Sequence, residues 1–286
     1  MTGPVPQWLL AAIVAITVFC VMFGIGLGLG PGDLRRAWRS PGPVLRGLLA
    51  VLVAVPVLAL IIVRALELPE LAQAGIVLMA MSPGAPVALR RSLDASGHPA
   101  FAPGLQICVA LLAVLSMPLS IAALNRIYGA HASIAPAEVM SQVLMAQLVP
   151  LGLGVAFRRA FAALAARIEP WVAQAGNILL VATLALGIAS LGEATLRAGM
   201  PVLAACALCT AAALGAGHLF GGPGRATRTA TAMISAARNP GLALLVATQN
   251  AAPPQVTATI LAYLVVSALV ITPYAIWRHR AGALAR

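Results

Sequence analysis

One arginine lies deep inside a long apolar segment of this chain, directly beside a Pro-Gly pair. Within residues 230–248, Arg238 is followed by Asn239, Pro240 and Gly241. A guanidinium cannot give up its proton, so at bilayer depth it must find partners or carry a large energetic cost. Pro240 removes a backbone donor and Gly241 loosens the helix, which frees polar backbone groups at the same level. Charge and broken backbone together indicate an anion-handling site in a transporter.

The composition is that of a membrane protein. The chain has 286 residues, of which 61% are hydrophobic and 9% are charged, and its mean hydropathy is +0.98. A soluble domain carries about a quarter charged residues. Apolar stretches long enough to cross the ~30 Å hydrocarbon layer recur along the chain. We therefore predict an all-α polytopic membrane protein.

Nine spans joined by short connections can be drawn, so residues 1–286 are expected to form a single membrane domain. Residues 1–30 are expected to hold a span rather than a cleavable signal, because the apolar run is too long and no basic stretch precedes it. The predicted spans are residues 8–30, 43–65, 71–89, 101–124, 136–157, 170–191, 199–220, 228–249 and 254–277.

The arginines predict the orientation of these spans. All 18 basic residues are arginine; fourteen fall on one side of the predicted bundle and three on the other. The positive-inside rule then places the amino terminus outside and the carboxyl terminus in the cytoplasm, in a cell (inner) membrane. Because the arginines are scattered over short loops, the net charge of +11 is not interpreted as a nucleic-acid surface.

Two predicted spans are interrupted by Pro-Gly pairs. Pro83-Gly84 lies in the third span and Pro240-Gly241 in the eighth, 157 residues and five spans further on. Paired broken helices in corresponding places of two halves are typical of inverted-repeat transporters. The alternative is that prolines are simply common in transmembrane helices, as Pro56 in the second span illustrates.

No enzymatic constellation is found in the spans. A Ser–His pair, paired aspartates or an H-E-x-x-H motif would be needed there, and the sequence has none. Neither enzymatic activity nor a cofactor is predicted.

Three motifs, taken in order, resemble the bile acid:sodium symporter family. They are Phe23-Gly24-Ile25-Gly26-Leu27, Met81-Ser82-Pro83-Gly84-Ala85-Pro86 and Arg238-Asn239-Pro240-Gly241. The resemblance implies ten helices in two inverted five-helix repeats, forming a panel domain and a core domain with two crossed, broken helices. This chain is expected to lack the first helix. The panel would be about residues 8–30, 136–157 and 170–191, and the core about residues 43–124 and 199–277.

Sodium-coupled members of that family bind sodium near the crossing, through a Ser-Asn pair, hydroxyls, a Glu and a Gln. At the positions that match in this sequence, Arg238 replaces the Gln. The other matching positions hold Ala88, Leu89, Ala102, Gln106 and Ile234, or Ser235 with a shift of one residue. Sodium needs several oxygen ligands, and a fixed positive charge a few ångströms away repels it. No metal site is therefore predicted.

The same comparison suggests a substitute for the ion. Arg238 would supply positive charge permanently, pairing with backbone carbonyls freed at residues 83–86 and with the substrate, while Asn239 holds the break through the backbone. Helix amino termini at the two breaks would add partial positive charge. The predicted substrate-binding residues are Pro83, Gly84, Ala85, Pro86, Gln106, Arg238, Asn239, Pro240 and Gly241.

The predicted function is transport of a small organic anion by alternating access, facilitative or secondary active, without sodium in the usual sites. Two alternatives remain open at this point. One is a sodium-coupled organic anion symporter with altered sites, and the other is a non-transporting membrane sensor. The expected partners are a small organic anion and the lipid bilayer; the sequence carries no signal for an oligomeric state.

Overall fold

The computed structural model describes residues 7–30, 32, 38, 41–128, 135–197 and 199–283. Within those ranges the chain is helical and contains no strand, which confirms the all-α prediction. The helices are α1 (Gln7–Gly28), α2 (Pro41–Ala65), α3 (Glu70–Ala80), α4 (Pro86–Asp94), α5 (Phe101–Tyr128), α6 (Pro136–Ala160), α7 (Ala162–Arg197), α8 (Gly199–Phe220), α9 (Arg225–Ala236), α10 (Pro240–Gln249) and α11 (Pro254–Ala283).

Among the described residues, six helices are long and apolar enough to cross a membrane: α1, α2, α5, α6, α8 and α11. They coincide with six of the nine predicted spans. The predicted sixth span, residues 170–191, lies within the continuous 36-residue helix α7. This chain is a multi-pass membrane protein.

The remaining two predicted spans are each divided into two short helices, as the Pro-Gly pairs predict. Residues 81–85 separate α3 from α4, and residues 237–239 separate α9 from α10. Each second half begins with a proline, Pro86 in α4 and Pro240 in α10. A proline suits the first helical position, where its missing N–H is not needed, but it cannot continue a preceding helix. Pro240 and Gly241 therefore begin a helix rather than lie in the gap.

The breaks in both helices lie in the buried interior of the molecule. Every residue from 229 to 247, which covers most of α9 and α10, is buried. Helix α9 packs against α8, and α3 packs against α11. The close approach of α3 to α11 depends on Gly75, where a methyl group would come within 2.7 Å of the Thr259 Cβ.

Helix α1 packs against α6 and α7 at very short range. Gly26 and Gly154 face each other where α1 crosses α6, and a methyl group on Gly26 would lie 2.9 Å from the Gly154 Cα. Between α1 and α7, the hydroxyl groups of Thr17 and Thr183 share a hydrogen bond of 2.9 Å. Small residues that let backbones approach are typical of helix packing in membranes.

Several of the arginines predicted to share one side of the membrane meet at one end of the bundle. Arg46, near the start of α2, lies beside Gly222 in the turn between α8 and α9. The Nε of Arg228 donates to the carbonyl of the same Gly222. Arg278, near the end of α11, donates through Nη2 to the Arg225 carbonyl at 2.6 Å. The ends of α2, α9 and α11 that carry these arginines are therefore neighbours.

The contact between α1 and α6 leads to a first prediction. In Gly154→Ala the added methyl group would overlap the Phe23 carbonyl oxygen and lie 2.9 Å from the Gly26 Cα, so the two backbones must separate. Overpacking of this kind costs about 1–3 kcal/mol. We expect the variant to melt several degrees below wild type in detergent, measured by thermal-shift fluorescence.

The matched control is Gly152→Ala, two residues earlier on the same helix, where an added methyl group has nothing within 4 Å. It should melt at or slightly above the wild-type temperature. Equal melting temperatures for the two variants would contradict the close packing of α1 on α6.

Candidate substrate site at the helix crossing

The two helix breaks touch each other directly through the backbone. The N–H of Asn239, in the second break, donates to the carbonyl of Ser82, in the first, at 2.9 Å. Both residues are buried, so neither group has water as an alternative partner. Because an unpaired backbone group in hydrocarbon costs several kcal/mol, this bond ties the positions of the two breaks together.

The first break lies beside two glutamine side chains from neighbouring helices, and one of them, Gln106, bonds its backbone. The Nε2 of Gln106 on α5 donates to the Ala85 carbonyl at 3.0 Å. Gly84 has a φ of +82°, a backbone conformation that other residues rarely adopt. The Nε2 of Gln147 on α6 would lie 3.5 Å from a methyl group at Gly84, and it donates to the Ala110 carbonyl at 3.0 Å. The break therefore lies between α5 and α6.

The second break is capped by Asn239. Its Oδ1 accepts a hydrogen bond of 3.1 Å from the N–H of Leu242, so Asn239 is the N-cap of α10. This confirms the prediction that Asn239 holds the break through the backbone. Gly241 faces α1 and α7, since a methyl group there would lie 3.0 Å from Val18 and 3.9 Å from Leu180.

Arg238 is bound to a carbonyl that a proline leaves free. Its side chain is 3% exposed, and Nη2 donates to the Val51 carbonyl of α2 at 2.9 Å. Residues 50–54 form a π-helical turn, in which a carbonyl bonds the N–H five residues on. For Val51 that residue is Pro56, which has no N–H, while the Val55 N–H bonds Ala50. The guanidinium replaces the missing donor.

The partner of Arg238 differs from the prediction. The carbonyls freed in the first break pair with other groups, Ser82 with Asn239 and Ala85 with Gln106. The guanidinium instead reaches α2 and lies within electrostatic range of Tyr263 on α11. Its Nη2 therefore bonds α2 and not the carbonyls of the first break. The direction of the Arg238 side chain can be predicted only when the packing of α2 against α9 is known.

Several buried polar atoms at the crossing have no hydrogen-bond partner among the described residues. Nε and Nη1 of Arg238 are two of them, and the amide nitrogen Nδ2 of Asn239 is a third. The side-chain oxygens of Gln106 and Gln147 also have no partner among the described residues. Buried polar groups are normally paired, so these atoms are candidates for contacts with a polar ligand. Donors and acceptors are both present.

The positions that match sodium ligands in the family are mostly apolar and closely packed. Ala88, Ala102 and Ile234 are completely buried and offer no side-chain oxygen. Leu89 is half-buried. Ser235 is buried, and its Oγ has no partner among the described residues. In the part of the chain described, no group of three or more His, Cys, Asp or Glu residues is found either.

The contacts above connect most of the predicted site. The first break, residues 82–85, is bonded to Gln106 through Ala85. It is bonded through Ser82 to the second break, which lies in residues 238–241. Val51 was missed, and Gln147 was not among the predicted substrate-binding residues. Pro56 was the available signal for Val51, because a proline in a span leaves an upstream carbonyl without its donor. For Gln147 the sequence offers only a polar residue within a span.

A cavity of about 780 Å³ lies next to this crossing, between α1, α5, α6 and the start of α7. Its lining includes Ile107 and Leu148, which directly follow Gln106 and Gln147 in the chain. The wall is mostly apolar, with Arg158 and Arg159 at the end of α6 as its charged side chains. The cavity thus combines an apolar body with basic groups at one end.

A family model described as "Sodium Bile acid symporter family" matches residues 15–197. The chain belongs to this family. The match covers α1 through α7, including the first break, and ends before the second. The second break lies outside the matched residues. It is supported by the Arg238-Asn239-Pro240-Gly241 motif and by the hydrogen bond between Asn239 and Ser82.

Among curated proteins, the chain is 27% identical over 177 residues to the "uncharacterized sodium-dependent transporter YocS" of Bacillus subtilis (strain 168). The aligned part is 60% of this chain and 54% of that relative. The chain therefore spans about half the length of the curated relative it matches. Membership in a family of transporters agrees with the predicted class of function.

The capping role of Asn239 can be tested by substitution. Asn239→Ala removes the acceptor for the Leu242 N–H, and loss of an N-cap costs about 0.5–2 kcal/mol. We expect this variant to melt below wild type in the same detergent. The control Asn239→Ser keeps a hydroxyl acceptor at the cap and should lie close to wild type. A serine variant as unstable as the alanine variant would contradict the capping role.

Proposed function

We propose that this protein transports a small organic anion across the membrane by alternating access, without sodium in the family's usual sites. The observation that carries the proposal is Arg238. It places a permanent positive charge, 3% exposed, at the joined breaks of two central helices. A charge buried at such a cost in a membrane protein is a functional feature by default.

Arg238 is proposed to take over both tasks of a bound cation. A cation at this place would supply positive charge and would brace the helices around it. The guanidinium supplies the charge without an ion, and its bond to the Val51 carbonyl connects the second break to α2. A sodium ion nearby would be repelled, by about 4 kcal/mol at 4 Å for an effective dielectric constant of 20.

The anion is proposed to bind at the crossing, on the side of the cavity. Arg238 attracts it by charge, and the amino-terminal ends of α4 and α10 add partial positive charge. The proposed contacts are Pro83, Gly84, Ala85, Pro86, Gln106, Arg238, Asn239, Pro240 and Gly241. Arg158 and Arg159 at the cavity wall would draw anions toward the crossing.

Alternating access is proposed to move one group of helices against another. The packing of α1 on α6 and α7 supports a panel of about residues 8–30, 136–157 and 170–191. Residues 43–124 and 199–277 would form the core, in an inverted-repeat plan. We propose nine spans in an inner membrane, with the amino terminus outside and the carboxyl terminus in the cytoplasm.

A sodium-coupled symporter with altered sites is the second candidate. The curated relative is named as sodium-dependent, and three unpartnered buried oxygens favour a cation: Oε1 of Gln106, Oε1 of Gln147 and Oγ of Ser235. Hard cations prefer oxygen ligands. Against this candidate, no carboxylate occupies the matching positions and Arg238 adds positive charge.

Counterflow in proteoliposomes separates the candidates. Vesicles preloaded with an unlabelled organic acid should take up the same labelled acid from outside, for at least one member of a panel of organic acids. Because Arg238 supplies the charge, uptake should stay within about twofold when choline replaces all sodium. Uptake that requires sodium would support the second candidate, and the absence of counterflow across the panel would favour a non-transporting sensor.

The role of Arg238 is tested by Arg238→Gln, which places the family's own residue there. Loss of a charge-assisted interaction of about 1.5–3 kcal/mol should weaken binding of the transported acid roughly tenfold to a hundredfold. Binding is measured as the ligand-induced rise in melting temperature. The control is Arg90→Gln, an exposed arginine at the end of α4. Unchanged affinity in Arg238→Gln would rule out its charge as the anion attractor.

A further inference from the structure

A second, smaller cavity lies at the arginine-rich end of the bundle. Its residues have no part in the proposed transport path. It is a groove of about 320 Å³ between the end of α4 and the last third of α11. On the α4 side it is lined by Arg91, Asp94 and Ala95, the residue that directly follows the helix. From α11 it is lined by Ile271, Thr272, Ala275, Ile276, His279 and Arg280.

The chemistry of this groove changes along its length. From Ile271 to Arg280 the α11 wall rises by about 13 Å, at ~1.5 Å per residue. Arg91, Asp94 and Arg280 are exposed charged residues at the helix ends, where the groove is polar. Toward the middle of α11 the wall is formed by Ile271, Ala275 and Ile276, which are aliphatic. One end therefore suits a charged group and the other a hydrocarbon chain.

The polar end lies at the level where headgroups are expected. Trp277 is 53% exposed beside the groove, and exposed tryptophans in membrane proteins concentrate at the interface between hydrocarbon and headgroups. Arginines from other turns gather at the same end of the bundle. A molecule in this groove thus has its polar part among headgroups and its apolar part in the bilayer.

The groove presents both signs of charge. Arg91 on α4 and Arg280 on α11 are positive, and a phosphate between them would receive donors from two sides. Asp94 is negative and would repel a lipid that carries negative charge alone. It complements a lipid whose headgroup also bears an ammonium. A primary ammonium can donate hydrogen bonds to the carboxylate, which a quaternary ammonium cannot do.

We propose that this groove binds a phospholipid with a primary ammonium headgroup, that is, phosphatidylethanolamine. The phosphate lies between Arg91 and Arg280, the ammonium pairs with Asp94, and an acyl chain follows Ile276 and Ala275. The lipid joins α4, the second half of the first broken helix, to α11. One protein contact already joins them here, between Nδ1 of His279 and the Asp94 carbonyl at 2.8 Å.

The proposal does not rest on the transport function, because it concerns different residues at the surface of the bundle. The test uses the full chain, delipidated in detergent and titrated with phosphatidylethanolamine, phosphatidylcholine or phosphatidylglycerol of identical acyl chains. Bound lipid is counted by native mass spectrometry. We expect phosphatidylethanolamine to bind about twofold to fivefold more tightly than phosphatidylcholine, as a charge-assisted hydrogen bond to an exposed carboxylate implies.

Substitutions of the charged residues that line the groove test each proposed contact with the lipid. Arg91→Gln and Arg280→Gln should each weaken binding of both zwitterionic lipids, because the phosphate loses a partner. Asp94→Asn should leave phosphatidylcholine binding unchanged and remove the preference for phosphatidylethanolamine. The matched control is Arg90→Gln, since Arg90 is the neighbouring arginine on α4 and does not line the groove. It should bind all three lipids as wild type does.

Four results would overturn the proposal. Equal affinity of the wild type for phosphatidylethanolamine and phosphatidylcholine would mean that the ammonium does not pair with Asp94. Phosphatidylglycerol binding most tightly would mean that the groove selects negative charge. Equal losses in Arg90→Gln and Arg91→Gln would mean that general surface charge holds the lipid. Competition by inorganic phosphate at millimolar concentration would likewise point to an ion site without a lipid.

Discussion

The fold depends on how backbone groups freed by two helix breaks find partners away from water. An unpaired N–H or carbonyl in hydrocarbon costs several kcal/mol, so a broken helix at bilayer depth survives only with built-in partners. Here the two breaks satisfy each other, through the bond from the Asn239 N–H to the Ser82 carbonyl. Asn239 and Gln106 pair further backbone groups. These bonds fix where four short helices end and begin.

Arg238 extends the same principle from backbone to charge. A π-helical turn before Pro56 leaves the Val51 carbonyl without a donor inside its own helix, and the guanidinium supplies one. A buried carbonyl and a buried charge are each costly alone, and each reduces the cost of the other. The arginine thereby joins α2 to the second break. In the proposed function this contact replaces the bracing that a bound cation provides elsewhere.

The sequence predicts the breaks well because their causes are local. At Pro83-Gly84 and Pro240-Gly241, proline removes a helix hydrogen bond and glycine loosens the backbone, and an Asn before a Pro is a recognisable cap. The partner of Arg238 could not be predicted, since Val51 lies 187 residues away and its free carbonyl arises from Pro56. Gln147 was not among the predicted substrate-binding residues, and the Gly26–Gly154 contact was not predicted, for the same reason. Which residues face each other across two helices is decided by packing, and no short motif encodes it.

The central claim is that Arg238 occupies the place of a cation. Equilibrium binding of radiolabelled sodium to the purified protein, in a scintillation proximity assay, tests it most directly. The account predicts no saturable signal that excess unlabelled sodium displaces in the wild type, with or without organic acids, because the guanidinium excludes the ion. Saturable, displaceable binding of about one or more sodium ions per chain would contradict it.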